Sequence, residues 1–244
     1  MPTCLLVGVG PGLSQAVARR FAQGGYDIGL IARRPDVIKP LSADLAGLGV
    51  ETACSMANAG NESELLDAIS SIEAMIGTTD VLIYNAAVMR AASPLDLTSD
   101  AFREELEVNV VGAFAASRAV APAMIRNRSG AILFTGGGLA LEPYPEWTSL
   151  ASGKAALRSL AFSLFKELSP QGVHVAVIAV CGIVEPGGPF DPDRVAAEYW
   201  RLATNSNGRK DRELIFQPKG TDPLYNDPKR IHAATTITPE HARE

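Results

Sequence analysis

The chain has 244 residues, 47% of them hydrophobic and 20% charged, with a formal net charge of −5. That is enough apolar length for one large α/β domain or two small ones with a sizeable core. The acidic balance argues against nucleic acid or an anionic membrane as the main partner. The N-terminus, "MPTCLLVGVG", has no basic flank before its apolar run, so it is read as a first strand and not as a signal peptide. No run is expected to span a bilayer; the most apolar stretch, residues 173–184, is short and interrupted by His174.

In chain order, short apolar runs predict strands at residues 4–7, 28–32, 51–54, 81–84, 131–135, 174–180 and 214–216. Several are apolar on successive residues, as expected for strands covered on both faces. Helical periodicity begins near Leu13, Asn61, Ser99, Thr148 and Pro192, with a weaker segment at 36–48 that carries an internal proline. Repeated strand–helix–strand units imply a parallel sheet with right-handed crossovers and helices on both faces. Residues 1–217 read as one domain, and the polar, proline-bearing segment 218–244 as a tail, either disordered or packed on a neighbouring subunit. Cys4, Cys54 and Cys181 are far apart and set among apolar residues, so buried free thiols in a reducing cytoplasm are expected. His174, His232 and His241 lack metal-ligand spacing, and no metal is expected.

The first strand runs into "VGVGPGLSQAVARRF", which places Gly8, Gly10 and Gly12 between a strand and a helix. Glycine allows a tight turn and close approach of a pyrophosphate, and the helix N-terminus adds unpaired N–H groups and a positive dipole end. This context points to a dinucleotide; a βα turn without a ligand is the bland alternative. The second strand ends "LIARRP". A carboxylate there suits the ribose hydroxyls of NAD, whereas a cation suits the 2′-phosphate of NADP. Arg33 and Arg34 follow Ala32, and arginine's planar fork binds phosphate bidentately. NADP(H) is therefore preferred and NAD(H) remains possible, with Arg33 the main contact and Arg34 the second. A solvated arginine pair at a strand end is the competing reading.

Gly8, Gly12 and Ser14 fall on a Gly-x-x-x-Gly-x-Gly pattern with serine in third place. With the strand–helix order, this resembles the short-chain dehydrogenase/reductase family over residues 3 to about 217. The resemblance implies a Rossmann-type, doubly wound, mostly parallel seven-stranded sheet. It implies a cofactor site of Gly8, Gly10, Gly12, Leu13, Arg33, Arg34, Asn58, Asn85, Ala86, Lys154, Gly182, Ile183 and Val184. Asn58 aligns with a residue that contacts the adenine amine, and "YNAAV" with a stretch that shapes the cofactor site, Ala87 adding a methyl group to the expected cofactor path. "AVCGIVEPGG" parallels the turn that holds the nicotinamide carboxamide, with Cys181 in place of a proline. The family also commonly forms dimers and tetramers, which implies a homodimer or homotetramer through helices at 99–125 and 148–168, and a small-molecule substrate.

Family catalysis pairs a tyrosine with a lysine four residues later on one helix face, the cation lowering the phenol's pKa. Lys154 and the supporting Asn109 match. The tyrosine position is Leu150, and the serine expected thirteen residues earlier is Gly137, so the usual proton relay is absent. Among stand-ins, the Trp147 indole donates a hydrogen bond but is not an acid at usable pH. Tyr144 is the best surrogate acid, with a packing tyrosine between Pro143 and Pro145 as the competing reading; Thr135, Ser149 and Ser152 are other hydroxyls nearby. Three functions follow: an oxidoreductase on a small carbonyl, alcohol or enone with an atypical proton donor; a cofactor-binding sensor or regulatory protein without turnover; or a structural subunit of an oligomer.

Overall fold

The computed structural model describes residues 1–204 and 211–221. Seven strands, β1 (Thr3–Val7), β2 (Asp27–Ala32), β3 (Thr52–Met56), β4 (Thr79–Tyr84), β5 (Ala131–Thr135), β6 (His174–Val180) and β7 (Glu213–Phe216), form one sheet in the order β3-β2-β1-β4-β5-β6-β7. Every pairing is parallel. The helices are α1 (Leu13–Gln23), α2 (Pro35–Ala46), α3 (Glu62–Ile76), α4 (Ser99–Leu106), α5 (Gly112–Asn127), α6 (Thr148–Leu168) and α7 (Pro192–Thr204). This is the expected Rossmann-type architecture. Residues 222–244, most of the predicted tail, lie outside the described residues.

Alternation along the strands divides the core in two. Cys4 and Leu6 of β1 join α1, α2 and α7 on one face, while Leu5 and Val7 join α3, α5 and α6 on the other. On the first face Trp200 stacks edge-on to Phe21 and Tyr26, with the Arg20 guanidinium 4.0 Å from its ring centre. His174 is buried at the start of β6, its ring nitrogens 2.9 Å from the carbonyl oxygens of Leu202 and Asp211. It thereby fastens the end of α7 to the approach to β7.

Several expectations are corrected. The helix expected over 99–125 is interrupted by a widened π turn, Glu107–Val111, and ends at Asn127. The segment expected at 36–48 begins at Pro35, whose fixed φ suits the first helical position, and accommodates Pro40 internally. Cys54 is exposed, because β3 is an edge strand and its alternation turns Cys54 and Met56 outward. The run Ser99–Asn127, 29 residues, is long and apolar enough by length and composition to cross a bilayer, contrary to expectation. Its apolar character has a packing use: Ala113, Ala115, Ala116 and Val120 are buried in the second core.

Close helix–sheet approach at that run depends on Gly112, where a Cβ would collide with the Ala59 carbonyl oxygen and the Tyr84 hydroxyl. Both are held by backbone or hydrogen bonding, so neither yields cheaply. Gly112→Ala is expected to lower stability by about 2–3 kcal/mol. The check is a urea titration in which the midpoint falls with an unchanged slope.

Candidate active site

The carboxyl ends of the strands surround a cavity of about 630 Å³. It lies where the strand order reverses between β1 and β4, the place where doubly wound sheets bind ligands. The turn after β1 supplies Gly8, Gly10, Gly12 and Leu13 to its wall. Gly8 and Gly12 have φ of 87° and 85°, a left-handed backbone that favours glycine. A Cβ on Gly8 would strike Ala86, which locks the β1 and β4 ends together, whereas Cβ atoms on Gly10 and Gly12 would meet nothing within 4 Å. Those two glycines leave the open cradle that a pyrophosphate needs at a helix start. Ser14, the serine in third place of the glycine pattern, is buried and fastens the turn: its Oγ accepts from the Gly10 N–H and lies 2.8 Å from the Gly10 carbonyl, to which it donates.

At the β2 end, Ala32 and Arg33 line the cavity. Arg34 does not; it joins Arg33, Gly10 and Val37 in an adjoining depression, its Nε 3.8 Å from Asp36. Asn58 lines the cavity after β3, with its carbonyl oxygen accepting from the Gly60 N–H at 3.1 Å. Gly182, Ile183 and Val184 line it after β6. Cys181 beside them is buried, and burial raises its thiol pKa, which leaves it unreactive.

The β4 and β5 ends are joined by Asn85 and Thr135. Asn85 donates through Nδ2 to the Gly8 carbonyl at 3.0 Å and accepts from the Thr135 hydroxyl at 2.8 Å. That hydroxyl is therefore the acceptor for the buried Tyr199 hydroxyl, 2.6 Å away. Tyr199 is a member that sequence reasoning missed, since a tyrosine among the apolar residues of α7 carries no site signal. The Thr135 carbonyl accepts from Lys154 Nζ at 2.6 Å. Lys154 lines the cavity, and burial lowers its ammonium pKa from the ordinary 10.5 to about 8.

Asn109 sits in the π turn and is buried. Its carbonyl oxygen accepts from the Val88 N–H at 2.7 Å, and its Nδ2 is buried with no partner among the described residues. Gly153 of α6 packs against it, since a Cβ there would come within 2.8 Å of Asn109 Cβ. Asn109 therefore supports the loop after β4 from behind the cavity wall. In that loop Met89 lines the cavity, and the Ala92 N–H bonds the Glu146 carbonyl at 2.9 Å beside the wall residue Trp147. This strap beside the cavity was not anticipated, because its hydrogen bond is made by main chain.

The hydroxyl stand-ins do not gather here. Tyr144 is half-buried with its hydroxyl shielded from solvent, and it is not on the cavity wall, nor are Ser149 and Ser152. The reason is local: Tyr144 precedes α6 in the loop that carries Glu146 to the strap, so it is not presented with Trp147 and Leu150. Thr135 reaches the wall, but its hydroxyl is committed to Asn85 and Tyr199. Leu150 lines the cavity and is 4% exposed. Among the described wall residues, the ionisable side chains are Arg33 and Lys154.

A family model described as short chain dehydrogenase matches residues 2–187. The chain belongs to the short-chain dehydrogenase family. It is 29% identical over 209 residues to the oxidoreductase UcpA of Escherichia coli, covering 80% of this chain and 78% of that one. It is also 29% identical over 221 residues to a short chain dehydrogenase of Pseudocercospora fijiensis, covering 89% and 69% respectively. A short-chain dehydrogenase structure from Rhodopseudomonas palustris superposes with a TM-score of 0.81 at 26% identity, covering 89% of this chain and 98% of that one. A metagenomic short-chain oxidoreductase solved in complex with NADP shares the fold, with a TM-score of 0.82 at 24% identity over 89% and 97% of the two chains. This short-chain dehydrogenase is thus of oxidoreductase type, with leucine and glycine where the family's tyrosine and serine are expected.

The buried cation fixes a stability prediction. Between about 8 and 10.5 the unfolded chain holds a proton on Lys154 that the folded chain lacks, so stability rises with pH there. Below that window the full burial penalty, roughly 3 kcal/mol, is present, while removing the lysine deprives the Thr135 carbonyl of its donor, a loss of about 1 kcal/mol. Lys154→Met is expected to be about 2 kcal/mol more stable than the parent at neutral pH. Denaturation across pH is the measurement, and the advantage should fade as pH rises through the window.

Proposed function

We propose that this short-chain dehydrogenase is an NADP(H)-dependent oxidoreductase acting on a small carbonyl, alcohol or enone substrate without the family's tyrosine acid. The observation that carries the reading is one continuous wall: an open glycine cradle at a helix start, Arg33, and the buried Lys154 all border the same cavity. In this reading Gly8, Gly10, Gly12 and Leu13 form the pyrophosphate cradle, with the Gly12 and Leu13 N–H groups as its donors, and Arg33 with Arg34 in the adjoining depression holds the 2′-phosphate. Asn58 meets the adenine, Lys154 the nicotinamide ribose, and Gly182, Ile183 and Val184 the carboxamide. Asn85 and Ala86 shape the site, and Asn109 positions its wall. When bound, the cofactor supplies or removes a hydride.

The substrate end of the wall, with Ala87, Met89, Leu139, Trp147 and Leu150, is apolar with few polar anchors, which favours a small apolar compound. The exposed Val111 and Phe114 on the α5 side suit a homodimer or homotetramer face. A second reading, cofactor binding without turnover in a sensor or regulatory protein, is favoured by Leu150 and Gly137 at the positions of the usual donors.

Calorimetric titration with NADPH and NADH tests the cofactor assignment. NADPH is expected to bind more tightly. Arg33→Ala should weaken NADPH by roughly tenfold and leave NADH nearly unchanged, since one charge-assisted contact is lost. Equal effects on both would remove the preference; no binding of either would sink both readings and leave a structural subunit.

A further inference from the structure

We propose that the Lys154 ammonium itself delivers the proton that the family's tyrosine would have given. The inference rests on the oxidoreductase reading and concerns the reacting end of the same cavity. Lys154 follows Leu150 by one helical turn, so both face the same way, and both line the wall. Leucine has no proton to give. A Cβ at Gly137 would lie in ordinary contact with Lys154 Cγ, 3.9 Å away, so this glycine sits directly beside the lysine stem and offers no hydroxyl there.

The alternatives on the wall fail on chemistry. The Thr135 hydroxyl already donates to Asn85 and accepts from Tyr199. Trp147 is not an acid, and Arg33, across the cavity at the β2 end, does not deprotonate. Lys154 is well suited because burial makes it a better acid than an exposed lysine. The titratable and charged groups on the elements around it are otherwise engaged. Glu105 of α4 pairs with Arg90, and the Tyr84 hydroxyl of β4 donates to the Val108 carbonyl. Tyr199 of α7 donates to Thr135, and Arg158 of α6 forms a bidentate pair with Glu213 of β7.

The step balances. The carbonyl carbon gains a hydride from a dihydronicotinamide, the π pair moves to the carbonyl oxygen, and that oxygen takes a proton from Nζ. Lysine is left a neutral amine that still has N–H groups, so its bond to the Thr135 carbonyl survives the transfer. It regains its proton from water.

Two readouts on the full chain test this. Lysine labelled with ¹³C at Cε, with the Lys154 signal assigned by its loss in Lys154→Arg, is expected to titrate with a midpoint near 8 in the protein alone. NADPH-dependent reduction of 4-nitrobenzaldehyde, 2,3-butanedione and cyclohex-2-enone is expected to show a kcat that falls tenfold per pH unit above that midpoint. Lys154→Arg keeps a cation but cannot release a proton, so it should bind NADPH within about threefold of the parent and lose a hundredfold or more in kcat. A role limited to gripping the ribose would move binding and leave the pH profile flat. A flat profile, an arginine variant that retains its rate, a midpoint near that of an exposed lysine, or NADPH binding with none of the probes reduced would each overturn the proposal. If the arginine variant does not fold, the pH profile of the unaltered protein decides. Failure of the unaltered protein to bind NADPH or NADH would sink the oxidoreductase reading itself, and the ¹³C titration would still report separately whether Lys154 is an acid in this range.

Discussion

The hydrogen bond from the Thr135 hydroxyl to the Asn85 carbonyl oxygen holds the site together. Parallel strands end without a hairpin to join them, so their carboxyl ends have no covalent reason to stay in register. Here Asn85 reaches back to the Gly8 carbonyl, Thr135 reaches across to Asn85, and Tyr199 supports Thr135 from α7. Three strand ends and one helix are thus tied through three side chains. The other end of the same residue does the rest: the Thr135 carbonyl holds Lys154 Nζ. A buried chain of this kind is unforgiving, because a donor or acceptor left over within it has no water to turn to.

That arrangement explains how a cation survives at 8% exposure without a carboxylate partner. No ion pair to Lys154 is present among the described residues. The carbonyl dipole satisfies one N–H, the residue borders the cavity, and the remaining cost appears as a lowered proton affinity. Elsewhere the protein pairs its semi-buried charges, as in Arg158 with Glu213. The unpaired charge is kept where solvent or a ligand can reach it.

Much of this was legible in the sequence, and the reasons are local. Strands covered on both faces show as unbroken apolar runs, so β1, β5 and β6 could be read directly. Gly8 and Gly12 were legible because a backbone with positive φ leaves a residue-type signature. Lys154 and Asn109 were visible by spacing. What escaped were features made by packing or by main chain. The π turn at Glu107–Val111 leaves no period in its sequence, and Tyr199 is one tyrosine in an amphipathic helix. Cys54 read as buried because its neighbours are apolar, yet exposure follows from β3 being the sheet edge, a fact of topology. Tyr144 was singled out by nearness in sequence to α6, which says nothing of which way a loop turns.

The serine in the glycine turn has a consequence of its own. Ser14 occupies the Gly10 N–H, and Pro11 has none to offer, so across residues 10–13 only Gly12 and Leu13 still have a main-chain N–H for an incoming anion. The same hydroxyl closes the turn on itself through its two bonds to Gly10. Such a loop is preorganised: it brings fewer donors but loses little conformational entropy when something binds. A turn of this design trades strength of grip for readiness, and its selectivity shifts outward from the phosphate bridge to the side chains at either end of the cavity.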